Sequence, residues 1–120
     1  MPSPPSLLQP RLRFPDDSAG AFGPGKAELL RRIAATGSIR SAAKGMEMSY
    51  SRAWTLAREM NGLFRRPLVA ATRGGGTGGG ASLTELGQEV LRLYTAMEAA
   101  CSKATEPEWK ALRKLLANPA

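Results

Sequence analysis

The sequence contains no histidine and only one cysteine, Cys101, in its 120 residues. Without histidine the chain has no Ser/His or Cys/His catalytic pair, and without clustered cysteines no zinc site is expected. A lone cysteine cannot form an internal disulfide, which suits a reducing cytosol and predicts a cytoplasmic protein. Cys101 falls beside an apolar helical seam and is interpreted as a small packing residue rather than a nucleophile. The sequence therefore predicts neither an enzyme nor a bound metal or cofactor.

Aromatic residues and long apolar runs are also scarce. Aromatic residues make up 6% of the chain, so the core must consist mostly of Leu, Ile, Val, Ala and Met. No apolar run approaches the ~20 residues that span a bilayer, and no membrane partner is expected. The first ten residues hold four prolines but no basic start or apolar run, so they predict a flexible lead-in rather than a signal peptide.

Positive charge, by contrast, is abundant and localised. The chain carries a net charge of +7, and residues 26–73 contain ten Lys/Arg against three Glu. That segment therefore carries the whole net charge, since the remainder has seven residues of each sign. A concentrated positive charge favours an acidic partner, most often nucleic acid.

The same segment has the pattern of three helices with a tight turn between the last two. A first helix is predicted over residues 26–36, with Gly37 as its C-cap. Ser38 would cap a second, short helix and Ser49 a third, which runs to about residue 63. The apolar positions expected to face the core in the first two helices are Leu29, Leu30, Ile33, Ala34, Ile39, Ala42, Ala43 and Met46. Two helices joined by the turn at residues 46–48 indicate a helix-turn-helix.

The third helix has two distinct faces. At 100° per residue its core side is predicted to carry Ala53, Leu56, Ala57, Met60 and Phe64. Ser51, Thr55 and Arg58 lie opposite, flanked by Arg52 and Trp54. Short hydroxyls with arginine suit base edges and phosphates, whereas an ordinary solvated face would be rich in Glu and Lys. Two roles stay open for each neighbouring aromatic residue: Trp54 packs between helices or stacks near DNA, and Tyr50 flanks the core or touches a phosphate or base.

A glycine-rich hairpin follows this helix. Residues 68–72 and 81–83 are expected to form two strands, joined by a loop with six glycines among residues 73–80. The loop lacks the Lys-Ser/Thr of a phosphate-binding P-loop. It is interpreted either as a hairpin tip without a role or as a wing that contacts DNA through Arg73 and nearby backbone N–H groups.

The sequence pattern of the C-terminal third predicts two helices. The first is long, is capped by Thr84 and ends near residue 105, and the second is short and covers residues 108–117. A seam with spacing 4-3-4-3-4 runs along the long helix, widened by Leu83, Leu91 and Tyr94. The seam consists of Leu86, Val90, Leu93, Met97, Ala100 and Ala104. It packs within its own domain or against a second copy, and we favour a homodimer.

Near the N-terminus, residues 11–14 alternate between polar and apolar side chains as a short edge strand would, and residues 15–25 are expected to form a loop.

Taken together, several short segments resemble a known family. They are Gly37-Ser38-Ile39, Ala42-Ala43-Lys44, Met48-Ser49-Tyr50, Ala53-Trp54, Glu59-Met60-Asn61, the loop GGGTGGGA, and Leu83-Thr84 followed by Gly87. Over residues 25–104 this combination resembles the N-terminal DNA-binding domain of ModE-type molybdate-responsive regulators and, more loosely, LysR-type winged helix-turn-helix domains.

The resemblance implies a winged helix-turn-helix that dimerises through the long helix and binds palindromic double-stranded promoter DNA. It implies DNA contacts from Ser49, Tyr50, Ser51, Arg52, Thr55, Arg58, Arg73, Gly74, Gly75 and Thr77. Since ModE proteins bind molybdate through further C-terminal domains, no direct molybdate binding is expected from this chain, although its target genes would concern molybdenum. The family's turn usually has glycine where this chain has Glu47, and a positive φ there costs ~1 kcal/mol relative to glycine. A rearranged turn, with Gly45 ending the second helix early, is then expected.

The fold class expected is mainly α with a small β-hairpin wing. Its predicted parts are a lead-in (residues 1–10), a winged helix-turn-helix (residues 11–83) and C-terminal dimerisation helices (residues 84–120). The function expected is DNA-binding transcriptional regulation. The alternative is a winged-helix module that assembles with another protein and does not bind DNA.

Overall fold

The computed structural model describes residues 8–14, 20–72 and 80–118. In these ranges five helices and one two-stranded hairpin follow the order α-α-α-β-β-α-α. They are α1 (Pro24–Thr36), α2 (Ile39–Gly45), α3 (Tyr50–Leu63), β1 (Val69–Thr72), β2 (Gly80–Leu83), α4 (Glu85–Ala104) and α5 (Glu106–Arg113). The strands are antiparallel, with Val69 opposite Leu83 and Thr72 opposite Gly80. This arrangement confirms the predicted winged-helix fold class.

The helix boundaries are set by local capping, as predicted. Gly37 has a φ of 72° and its N–H bonds to the carbonyl of Ile33, which ends α1. The Ser38 hydroxyl accepts a hydrogen bond from the Ser41 N–H (3.0 Å) at the start of α2. The Ser49 hydroxyl accepts one from the Arg52 N–H (3.0 Å) at the start of α3. Each cap satisfies a backbone group that the helix itself leaves unpaired.

In the turn between α2 and α3, the end of α2 at Gly45 was expected, but the expected rearrangement does not spare Glu47 a positive φ. Glu47 has a φ of 55°, in the left-handed region, and α2 ends at Gly45. The N–H of Met48 reaches back to the carbonyl of Ala43 (3.0 Å) and closes the turn. Glu47 is thus held in a conformation that favours glycine.

The core lies where the first three helices meet the hairpin and α4. Leu29, Leu30 and Ile33 of α1 are completely buried, as predicted. Ala34 was expected to join them but is exposed, and Ala27 is buried in its place, because the apolar stripe of α1 extends toward the N-terminus of the helix. Met46 and Phe64 pack against the core but are only half-buried, since each lies just beyond the end of its helix. The buried residues of α2 and α3 are Ile39, Ala42, Ala43, Ala53, Leu56, Ala57 and Met60, all predicted.

The segment before α1 differs from the prediction. Residues 11–14 alternate between exposed and half-buried side chains as expected, but they form no strand. A single antiparallel bridge joins Leu12 to Phe22, with hydrogen bonds of 2.7 and 2.9 Å. Phe22, which falls in the predicted loop, is completely buried and packs edge-on against Phe64 and Tyr94. These aromatic contacts anchor the segment, so the pairing does not need to continue into a ladder.

The base of the hairpin is fixed to α3 and α4 by side-chain hydrogen bonds. Asn61 accepts from the N–H groups of Leu68 and Val69 (2.8 and 3.1 Å) and donates to the Val69 carbonyl (3.2 Å). Thr84 donates to the Pro67 carbonyl (2.7 Å) and caps α4 by accepting from the Gly87 N–H (3.0 Å). A Cβ at Gly87 would clash with the Leu68 carbonyl, so only glycine allows this approach. The direction of the hairpin relative to α3 is therefore defined.

The C-terminal helices meet the core only partly. Glu98 of α4 is buried and receives a hydrogen bond from Arg31 of α1 (2.6 Å), which joins the two helices. The short last helix was expected over residues 108–117 but spans Glu106–Arg113. Beyond it, Leu115 and Leu116 bond to carbonyls only three residues back, so the chain continues as turns. Among the described residues, no helix is both long and apolar enough to cross a membrane.

Candidate nucleic-acid interface

The outer face of α3 matches the face predicted from its periodicity. Ser51, Arg52, Thr55 and Arg58 are exposed, while the opposite face of the helix is buried against the core. Ser51, Thr55 and Arg58 line one open groove together with Tyr50 and Trp54. The hydroxyl of Thr55 donates to the Ser51 carbonyl (3.1 Å), which leaves its oxygen lone pairs available as acceptors. The groove therefore offers hydroxyl and guanidinium groups of the kind that contact base edges.

Two residues near the start of this helix bond to each other. Trp54 donates its indole N–H to the Tyr50 hydroxyl (2.7 Å), and the Arg40 guanidinium lies 4.4 Å from the centre of the Tyr50 ring. Trp54 is half-buried and packs against the core, which supports the helix-packing interpretation of this residue. Tyr50 is 39% exposed and lies outside the core, so part of its side chain remains open to solvent.

Salt bridges sort the cations of this region into two groups. Lys26 is buried and pairs with Glu59 (3.2 Å), and Arg31 and Arg32 pair with Glu28 (3.5 and 2.9 Å). Six other cations are exposed and form no ion pair within the described residues. They are Arg40, Lys44, Arg52, Arg58, Arg65 and Arg66. The uncompensated charge is thus displayed by α2, α3 and the segment that follows α3.

The predicted wing is described only at its base. Thr72 and Gly80 form the last pair of the hairpin, so the glycine-rich loop begins and ends at one point of the fold. The predicted wing contacts Arg73, Gly74, Gly75 and Thr77 lie outside the described residues. In the part of the chain that the structure describes, no group of His, Cys, Asp and Glu side chains could hold a metal ion. Cys101 is half-buried.

Comparison with known proteins shows which sequences this chain resembles. No family model matches the chain. It is 42% identical over 82 residues to the molybdenum-pterin-binding protein MopB of Rhodobacter capsulatus, a match that covers 68% of this chain and 30% of that protein. It is 38% identical over 88 residues to the molybdenum transport protein ModE of Azotobacter vinelandii (73% and 33%). It is 42% identical over 81 residues to the DNA-binding transcriptional dual regulator ModE of Escherichia coli K12 (68% and 31%).

The chain carries a ModE-like domain. It spans about a third of the length of the relatives it matches, between 30% and 33% of the three named above. None of those three is named as an enzyme. The resemblance seen in the short segments of the sequence is therefore confirmed at the level of the domain.

The predicted seam of the ModE-like domain divides into two halves. Leu86 and Val90 are half-buried against the core, whereas Leu93 and Met97 are 48% and 39% exposed and Ala100 and Ala104 are exposed. Tyr94 was expected to widen this apolar surface but is buried, since α4 turns Gly87, Tyr94 and Glu98 inward. That inward face lies about 100° around the helix from the seam. The second half of the seam therefore remains exposed after the domain has folded.

Sequence reasoning missed Arg40 and Asn61. The helical period placed Arg40 outside the core, because Ile39, Ala42 and Ala43 face inward. Its contact with Tyr50, however, depends on the direction that the chain takes through the left-handed turn at Glu47. Asn61 stood inside a segment that carried the family resemblance, but its backbone partners follow it by seven and eight residues and lie beyond the end of α3.

Proposed function

We propose that this protein is a DNA-binding transcriptional regulator that acts as a homodimer on a palindromic promoter site. The helix from Ser49 enters the major groove, and the glycine-rich wing contacts the flanking backbone or minor groove. The observation that carries this proposal is the face of α3, where a groove of hydroxyls and guanidinium lies among six exposed cations without ion-pair partners in the described residues. Such a surface suits DNA, because its cations can pair with the phosphates while its hydroxyl and guanidinium groups contact base edges.

The roles of individual residues follow from their positions. Ser51, Arg52, Thr55 and Arg58 select the sequence, because they are exposed along the outer face of the helix. Ser49 contributes mainly as the cap of α3, since its hydroxyl oxygen already accepts the Arg52 N–H. The wing residues Arg73, Gly74, Gly75 and Thr77 contact the backbone, and the exposed part of Tyr50 contacts either a phosphate or a base.

The dimer is proposed to form through the seam of α4. The exposed apolar side chains of Leu93 and Met97 supply the contact, and Leu86, Val90, Ala100 and Ala104 continue it along the helix. In this division residues 11–83 bind DNA and residues 84–120 join the two copies, which would meet half-sites ~34 Å apart or a multiple of this distance. The names of the relatives support target genes that concern molybdenum.

The proposal is tested by selecting bound duplexes from random DNA and measuring the mass of the complex. We expect an enriched sequence with two inverted half-sites, bound by two copies of the chain. Enrichment of no sequence, with no measurable affinity for any duplex, would contradict DNA binding. In that case a stable complex with a protein partner would favour the assembly module.

A further inference from the structure

Three side chains form one connected group at the start of α3, which we call the tyrosine cluster: Arg40, Tyr50 and Trp54. Tyr50 lies between the other two, hydrogen-bonded to the Trp54 indole (2.7 Å) and covered on its ring by Arg40 (4.4 Å from guanidinium carbon to ring centre). Arg40 comes from α2 and the two aromatic residues from α3. The cluster therefore spans the helix-turn-helix and is assembled before any partner arrives.

The hydrogen bond inside the cluster determines what Tyr50 offers to a partner. An indole N–H can only donate, so the Tyr50 oxygen acts as the acceptor in its bond to Trp54. The phenolic hydrogen must then point elsewhere, and no described residue provides an acceptor for it. Tyr50 thus presents a free O–H donor at the exposed edge of α3.

Arg40 presents further donors beside that hydroxyl. A guanidinium has five N–H donors and no acceptor, and stacking on an aromatic face leaves its edge open for bidentate contact. No carboxylate among the described residues pairs with Arg40. The two side chains together form a patch dominated by donors and positive charge. Such a patch fits the oxygens of a phosphate better than a base edge, which also presents donors.

We infer that Arg40 and Tyr50 bind one phosphate of the DNA backbone together, and that Trp54 is the positioning residue that orients the Tyr50 hydroxyl. This inference rests on the proposed DNA-binding function. It adds Arg40 to the contact surface and assigns Tyr50 to the backbone rather than to a base. Ser51, Thr55 and Arg58 continue the same groove, so this contact would fix the register in which they meet the bases.

The test uses the full chain and a selected duplex in which single phosphates are replaced, one at a time, by neutral methylphosphonates. The wild-type protein should lose roughly tenfold in affinity at one position in each half-site, the size of a lost hydrogen bond to a charged group. Tyr50→Phe and Arg40→Gln should each lose part of this factor on unmodified DNA, and each should be less sensitive than the wild type to the replacement at that position, because only one of the two contacts remains. Arg40→Gln should also reduce the steepness of the slope of log Kobs against log salt by about 0.9 for each copy bound, because one phosphate contact is lost.

Matched variants separate this role from general damage. Tyr94→Phe removes the same atom from a buried tyrosine, and Lys103→Gln removes one exposed cation from α4. Both should respond to the methylphosphonates as the wild type does. Trp54→Phe should weaken binding in the wild-type background and have no effect in the Tyr50→Phe background, because its role requires the hydroxyl. A merely structural effect of Trp54 would weaken binding equally in both.

The outcomes distinguish this inference from the proposed function. If the wild type binds duplex DNA while Tyr50→Phe and Arg40→Gln bind equally well, the phosphate contact is refuted and DNA binding stands. If Tyr50→Phe weakens only the selected site and spares unrelated duplexes, Tyr50 contacts a base and the assignment is wrong. If the wild-type chain binds no duplex, both proposals fail.

Discussion

At the scale of single residues, Arg58 is the side chain best placed to select a base. It is exposed, lines the groove on α3 and forms no ion pair with a described residue. We expect Arg58→Ala to cost ~1–3 kcal/mol at the selected site and to relax the preference at one base pair of each half-site. Repeating the selection with the variant measures this directly.

Arg73→Ala provides the contrast, because a wing contact to phosphate carries no sequence information. It should lower the affinity for selected and unrelated duplexes by a similar factor. An unchanged preference profile for Arg58→Ala would show that this arginine also contacts only the backbone.

Glu47 is a source of local strain. Its φ of 55° costs an L-residue ~1–2 kcal/mol, whereas glycine adopts it freely but loses ~0.5–1 kcal/mol of chain entropy on folding. Glu47→Gly should therefore raise the free energy of unfolding by about 0.5–1 kcal/mol. The matched variant Glu47→Ala removes the carboxylate but keeps the strain and should show no such gain. Urea denaturation compares the three proteins, and equal stability of the glycine and alanine variants would refute the strain.

Tyr94 makes stability depend on pH in the alkaline range. Burial, and secondarily the nearby Glu98 carboxylate, raise the pKa of Tyr94 above its usual 10.0. Above that pH the unfolded chain releases the phenolic proton first, so the free energy of unfolding falls until the folded protein ionises too. Below it the phenol is neutral in both states and this contribution is complete.

Comparing wild type with Tyr94→Phe isolates this effect, because every other titrating group is shared. The wild type should lose more stability than the variant as the pH rises past about 10. The variant should be less stable at neutral pH, since it lacks the hydrogen bond to the Pro10 carbonyl (2.6 Å). Parallel curves for the two proteins would contradict the assignment.

At the scale of elements, α4 has one face that packs against its own domain and another that is exposed. Gly87, Tyr94 and Glu98 attach it to the domain, while Leu93 and Met97 stand exposed on the seam. Glutamates at both seam positions should raise the dissociation constant of the dimer by roughly 100-fold or more, because a charge would be buried in the contact. Sedimentation at several protein concentrations measures the change.

Gln88→Glu with Ala99→Glu is the control, since both residues are exposed on the side of α4 opposite the seam. This pair should leave the dimer and the helix content intact. A wild-type chain that remains monomeric at all concentrations would contradict the seam as a dimer contact.

Elements also show which parts of the fold can be predicted from the sequence. Caps at Ser38, Ser49 and Thr84 depend on a few neighbouring residues, and the helices they begin were predicted correctly. The outward face of α3 followed from its period for the same reason. Contacts between distant segments could not be predicted this way: nothing local marks Phe22 as the partner of Tyr94.

The same limit applies to the candidate site. Its outline on α3 was predictable, but the exposure of each cation depends on which carboxylates the fold brings near. Lys26 is neutralised by Glu59, 33 positions later in the chain, whereas Arg40 finds an aromatic ring instead. Composition located the charge in one segment, and the spacing within α1 accounts for the pairs of Arg31 and Arg32 with Glu28. The pair of Lys26 with Glu59, by contrast, depends on the packing of α1 against α3.

At the scale of the whole molecule, charge and fold coincide. Within residues 26–72, the six exposed cations without an ion pair in the described residues occur on α2, α3 and the segment after α3. Elsewhere Arg11, Arg13, Lys103 and Lys114 are also exposed, whereas Arg92 and Lys110 of α4 and α5 are paired with glutamates on their own helices. One part of the chain is thus suited to a polyanion, and another presents apolar side chains suited to a second copy. This separation is the physical basis of the proposed dimeric regulator.

The most direct test is the affinity of the chain for its selected duplex as a function of salt. If half of the six exposed cations of each copy contact phosphates, a dimer makes about six contacts, and log Kobs should fall with log salt at a slope of about −5. A slope of this size, with stronger binding to the selected duplex than to unrelated DNA, is the result we predict. Absence of duplex binding, or an affinity that does not change with salt, would contradict the account.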